Sequence, residues 1–120
     1  MISEKTIKLV TKFRDDRDWS QFHNPKDLAI SLNLEAAELL EIFQWSGNDL
    51  VCEEKIDKIK EELADVLCYS ILLADRCGLD MDEIICSKVK RNEEKYPVEV
   101  AFGSKEKYTD LKREPRKEDK

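Results

Sequence analysis

Glu35-Ala-Ala-Glu38-Leu-Leu-Glu41-Ile-Phe-Gln-Trp45 is the stretch whose reading decides the fold, and Glu61-Glu62-Leu-Ala-Asp65 answers it further along the chain. At about 100° per residue, an α-helix points Glu35 and Glu38 the same way and keeps Trp45 within about 80° of Glu35. In the second segment Glu62, Asp65 and Tyr69 fall at i, i+3 and i+7, again one stripe. Both stripes are set among apolar residues, Leu34, Ala37, Leu39, Leu40, Ile42 and Phe43 on one and Leu63, Val66, Leu67, Ile71, Leu72 and Leu73 on the other. Two such helices, packed together, bring four carboxylates into a partly desolvated place. Like charges so confined repel unless protonated or neutralised by a cation. All-oxygen ligands suit a hard ion, Mg2+ first and Mn2+ as a substitute.

The competing reading is a solvated helix face, where E-x-x-E and E-x-x-D spacings arise easily. Two features count against it. The pairs come twice, and the second heads an almost wholly apolar run, Leu63 to Ala74, where surface charge is not expected. Glu61 lies nearly as close to Asp65 in angle as Glu62 does, so spacing leaves open which of the two joins the cluster.

Around these segments the chain reads as helix throughout. With 120 residues it is long enough for one domain, and 41% hydrophobic against 40% charged residues with three Gly and three Pro points to an all-α protein. A first helix over 3–17 starts at Ser3 as N-cap, with Ile7, Val10 and Phe13 on one face. Trp19 to Pro25 then forms a short connection rich in aromatics. Asn24 capping before Pro25 starts a second helix that runs to about Trp45 and stops at Ser46-Gly47. A polar link over 48–54 leads to a third helix, about 54–77, ended by Gly78. Asp80, with Glu83 three residues on, starts a fourth that runs to Tyr96 and is stopped by Pro97. Four helices with short links predict a four-helix bundle. Residues 1–110 read as the domain and 111–120 as a charged tail with too little apolar content to order itself.

Several functional classes recede on the same grounds. A net charge of −6 disfavours nucleic-acid binding. No apolar run reaches the length of a membrane span and no signal peptide is visible, so a cytoplasmic protein is expected. Cys52, Cys68, Cys77 and Cys86 form no C-x-x-C pair, and with a single His a zinc site is improbable. Cys68 and Cys77 read as small core residues. A di-iron carboxylate bundle needs Glu-x-x-His twice, which one His cannot supply.

The aromatics need separate weighing. Phe22 at helical spacing reads more readily as core than as pocket. Trp19 and His23 sit instead in a connection beside polar residues, where flat rings and polar groups could stack on a base and read its edge. Trp45 and Tyr69 share stripes with the carboxylates. Lys88, Asn92 and Lys95 lie at i, i+4 and i+7 on the fourth helix, with Arg91 and Tyr96 nearby. That face is either solvated or able to meet phosphate oxygens.

Taken in order, these residues resemble the MazG-like all-α nucleoside triphosphate pyrophosphohydrolases, and among them the dCTP pyrophosphatase branch. The resemblance runs from about Phe13 to Leu111. It rests on Arg17-Asp-Trp19-x-x-Phe22-His23-x-Pro25, Glu35-x-x-Glu38-x-x-Glu41 with Phe43-Gln44-Trp45, and Glu61-Glu62-Leu-x-Asp65-Val-Leu-x-Tyr69. It continues through Ser87-Lys88, Asn92, Lys95-Tyr96-Pro97-Val98 and Gly103-Ser104-x-x-Lys107-Tyr108-Thr109. Two positions depart: Leu34 stands where the broader family often has Glu, and Val10 where the dCTP branch has His.

The resemblance implies Mg2+-dependent cleavage of a (deoxy)nucleoside triphosphate between its α and β phosphates, with dCTP or a modified dCTP the first candidate. It implies Glu35, Glu38, Glu62 and Asp65 as metal ligands, which resolves the tie in favour of Glu62. Trp19, His23, Trp45 and Tyr69 are implied at the nucleoside, and Lys88, Asn92 and Tyr96 near sugar and phosphates; Phe22 and Lys95 complete the expected substrate-binding set. Glu38, or failing it Glu41, is the expected proton acceptor from the attacking water. It also implies a homo-oligomer, dimer or tetramer. The reading from another class is a non-catalytic helical module that senses nucleotides or binds a protein through an acidic face. Turnover separates the two.

Overall fold

The computed structural model describes residues 2–105. The tail expected at 111–120 and the motif positions Lys107, Tyr108 and Thr109 lie outside the described residues. In chain order these form α1 (Glu4–Asp16), a 3-10 turn (Trp19–Phe22), α2 (Pro25–Glu41), a second 3-10 turn (Glu53–Lys55), α3 (Ile56–Arg76), α4 (Met81–Lys95) and α5 (Val98–Ala101). No strand occurs among the described residues, so the protein is all-α as its composition predicts. Two compact units are distinguished, one ending at Met81 and the other starting at Asp82.

Local chemistry sets most boundaries in the first unit. Ser3 accepts from the Thr6 amide at 3.2 Å and opens α1. Asn24 accepts from the Asp27 amide at 2.9 Å and opens α2, with Pro25 in the first turn. Each cap satisfies an amide that the helix itself leaves without a partner. α3 closes at Gly78, whose φ of +67° only glycine adopts cheaply. Two bonds complete that end, Gly78 N–H to Asp75 O at 3.1 Å and Leu79 N–H to Ala74 O at 2.8 Å, the Schellman pattern.

The end of α2 corrects the expectation. The helix stops at Glu41, not Trp45. Ile42, Phe43 and Gln44 instead donate to Leu39, Leu40 and Glu41, three residues back, which tightens the chain out of α-helical phase. Lys55 Nζ donates to the Ile42 carbonyl at 3.3 Å and so supplies from a distant residue the partner that another helical turn would have given. α5 was likewise not expected; it is one turn following Pro97.

α2 and α3 form the main pairing of the first unit, and α1 packs on α3. Leu28, Ile42, Cys52, Ile71, Leu72 and Ala74 make the buried core, with Leu28 only 1% exposed. Arg14 on α1 ties to Asp75 on α3 at 2.6 Å and also holds Asp15 at 2.8 Å. Of the two cysteines expected in the core, Cys68 is half-buried and Cys77 is exposed, because Cys77 already belongs to the helix cap.

Candidate metal and nucleotide site

α2 contributes Glu35 and Glu38, and α3 contributes Glu62 and Asp65, at the seam where the two helices pack. One carboxylate oxygen from each lies within 4.8 Å of all the others. The four environments differ: Glu62 is buried at 6% exposure, Glu35 is half-buried, and Glu38 and Asp65 are exposed. Glu35 Oε2 and Glu62 Oε2 are both inaccessible to solvent and have no hydrogen-bond partner. Orphaned buried carboxylate oxygens are costly unless something else satisfies them. An all-carboxylate donor set with two such oxygens fits a hard divalent cation.

The electrostatics tell the same story. Glu38 is pushed up to about 7, first because a protonated carboxyl there would find acceptors on Glu35 and Glu62, and then by their negative charge. Glu62 is held below the usual carboxylate range, chiefly by its ion pair with Lys58, Nζ to Oε1 at 2.9 Å. Protonation of Glu38 is thus favoured when no cation is present, which is how crowded carboxylates relieve repulsion.

Beside the cluster a cleft of about 480 Å³ is lined by Glu38, Glu41, Ile42, Lys55, Lys58 and Glu62. Glu41, the last residue of α2, thus borders the same space as two of the four acids. Lys55 and Lys58 were missed by the sequence reading. Lys58 left a signal in its i, i+4 spacing to Glu62. Lys55 left none, since its contact with Ile42 spans the loop.

The expected nucleoside residues are placed unevenly. Trp19 is partly exposed and packs edge-on against Phe13, centroids 5.7 Å apart, with Arg17 3.7 Å above the Phe13 ring. Phe22 is 63% exposed, so its reading as core does not hold. His23 is half-buried, and its Nδ1 is inaccessible and unpartnered. Burial, and secondly the charge of Arg14, hold its pKa below the ordinary histidine value. Tyr69 is half-buried on α3. Trp45, beyond the true end of α2, is 89% exposed, and the helical phase that set it beside the acids does not apply.

In the second unit Lys88 and Asn92 lie on α4, Lys95 ends it and Tyr96 follows. The pKa of Lys88 is lowered mainly by Lys95 and also by Arg91, so this face concentrates positive charge. Asn92 and Lys95 are half-buried there.

A profile of the MazG-like family matches residues 30–111, the span that carries all four acids. The chain belongs to the MazG-like family. Its relatives narrow the branch: it is 40% identical over 115 residues to dCTP pyrophosphatase 1 of Mus musculus, covering 92% of this chain and 68% of that protein. It is 38% identical over 113 residues to dCTP pyrophosphatase 1 of Homo sapiens, covering 90% and 66%. Among solved structures, a pyrophosphatase from Archaeoglobus fulgidus superposes with a TM-score of 0.73 at 41% identity, over 78% of this chain and 91% of that one.

Proposed function

We propose that this chain hydrolyses dCTP, or a modified dCTP, to the monophosphate and pyrophosphate at a Mg2+ site made by Glu35, Glu38, Glu62 and Asp65. Its membership and relatives make it a nucleoside triphosphate pyrophosphohydrolase. The observation that carries the metal assignment is the convergence of the four carboxylates within 4.8 Å around two buried, unpartnered oxygens. Mn2+ fits the same donors.

When bound, the divalent ion supplies charge neutralisation for the phosphates and polarises the attacking water. The chain's own residues do the rest. Glu38, which belongs to the acid cluster and borders the cleft, is assigned as the proton acceptor. Glu41 borders the cleft and is the alternative acceptor. Trp19, Phe22, His23, Trp45 and Tyr69 are assigned to the nucleoside, and Lys88, Asn92, Lys95 and Tyr96 to sugar and phosphates. We further assign residues 1–110 to the catalytic domain and 111–120 to a charged tail, and the working form to a cytoplasmic homo-oligomer that binds neither nucleic acid nor membrane. No helix among the described residues is long and apolar enough to cross a membrane.

The test is product analysis across a panel of nucleoside triphosphates with Mg2+. Pyrophosphate and the monophosphate should appear together, fastest with dCTP, and vanish with chelator. Orthophosphate and a diphosphate as first products would place attack at another phosphorus and refute the assignment.

A further inference from the structure

We propose that Lys58 is a built-in rival of the metal ion, so that the site takes up its cation together with the triphosphate and holds the bare cation weakly. This rests on the metal site assigned above.

Lys58 Nζ lies 2.9 Å from Glu62 Oε1 and 3.6 Å from Glu61 Oε2. Glu62 is the most buried of the four acids, and its second oxygen is the unpartnered one. One carboxylate therefore carries an ammonium on one oxygen and offers the other to the cluster. A divalent cation arriving alone shares Glu62 with a positive charge already present, which weakens its binding.

The same lysine also lines the cleft, with Lys55 and Glu41. Its side chain is 58% exposed, and a flexible four-carbon stem lets the ammonium swing. A triphosphate entering with the cation brings anionic oxygens into that space, and the ammonium then attracts what has arrived. Glu61 gives Lys58 a second anchor once Glu62 is engaged. Free triphosphate without metal meets Glu38, Glu41 and Glu62 and is repelled. Lys58 thus acts against the bare cation and for the metal–triphosphate pair, which is a coupling between two ligands and must be reciprocal. The plain alternative, an i, i+4 surface pair, contributes a little helix stability and predicts no effect on metal affinity.

The experiment follows free Mn2+ by electron paramagnetic resonance during titration of parent, Lys58→Met, Lys58→Gln and Lys58→Arg proteins. Each is measured with and without an α,β-imido analogue of dCTP. Both neutral variants should bind Mn2+ alone on the order of tenfold tighter, the scale of a unit charge acting on a divalent one through solvated surroundings. The tightening of Mn2+ by the analogue should shrink by at least that factor, and Lys58→Arg should keep parental behaviour. Neutral variants that bind Mn2+ as the parent does, or more weakly, overturn the rivalry while leaving the metal site intact. A parent that retains no Mn2+ in either condition overturns the metal site itself, and the rivalry with it.

Discussion

Glu38 shows how one side chain's environment converts into a measurable sign. Its carboxyl sits against Glu35 and Glu62 and is pushed up to about 7, whereas in the unfolded chain it titrates near the ordinary 4.5. Between those values the folded protein binds more protons than the unfolded one, so the cation-free protein loses stability as pH rises through that window. Glu62 has the opposite sign, since its lowered pKa contributes stability above the ordinary range that is lost as pH falls. Replacing Glu38 by Gln removes the first effect only. With chelator present, Glu38→Gln should melt at or above the parent, with an advantage that grows from about pH 4.5 to about pH 7 and then levels off. Turnover of the variant with Mg2+ should drop by roughly 10²–10⁴, the usual worth of a positioned acid–base group. Melting curves across that pH range and a single rate assay check both halves. A variant that melts lower than the parent at pH 8 without metal would show that Glu38 stabilises the fold as an ordinary surface acid.

Elements were legible in the sequence wherever their ends depend on neighbours in the chain, and illegible where they depend on distant ones. Ser3, Asn24 and Gly78 bound their helices as read, because each cap is a bond within a few residues. Glu35, Glu38, Glu62 and Asp65 converge because helical phase carries that information, although choosing Glu62 over Glu61 needed the family pattern. α2 ends at Glu41, where the next three amides bond three residues back and Lys55 takes the Ile42 carbonyl across the loop, a contact that no local pattern encodes. Helical phase therefore carried the convergence of the four acids, and it did not carry the position of Trp45, which lies beyond the end of α2. These helix ends can be weighed directly. Asn24→Ala should cost about 1 kcal/mol by loss of the cap. Gly78→Ala should cost about 1 kcal/mol by strain, since its φ is +67° although nothing lies within 4 Å of an added Cβ. Urea titrations should show lower midpoints with unchanged slopes; an unchanged midpoint for Gly78→Ala would mean that the cap relaxes freely.

At the scale of the molecule, the core is thin for the apolar surface available. Ile30 and Leu34 sit one helical turn apart on α2, and Ile56, Leu63 and Leu67 share a stripe on α3, yet all five are at least 44% exposed. Leu40 is exposed at the end of the same helix, and Leu50 in the loop beyond it. Single exposed leucines are ordinary, whereas stripes of them on two paired helices are what an association surface requires. A second copy of the chain is the occupant proposed above, and that proposal carries a test that separates interface from ordinary surface. On a free surface, Ile30→Glu and Leu67→Glu would change stability by no more than about 0.5 kcal/mol. At an interface between copies they place unpaired charge where apolar area should be buried, which favours dissociation. The parent should scatter light as a multiple of the chain mass and melt higher as concentration rises, because assembly stabilises the folded state by mass action. The variants should scatter as single chains and lose that concentration dependence. A parent that behaves as a single chain at all concentrations, with variants melting beside it, would assign the stripes to ordinary surface and leave the acid cluster to work within one chain.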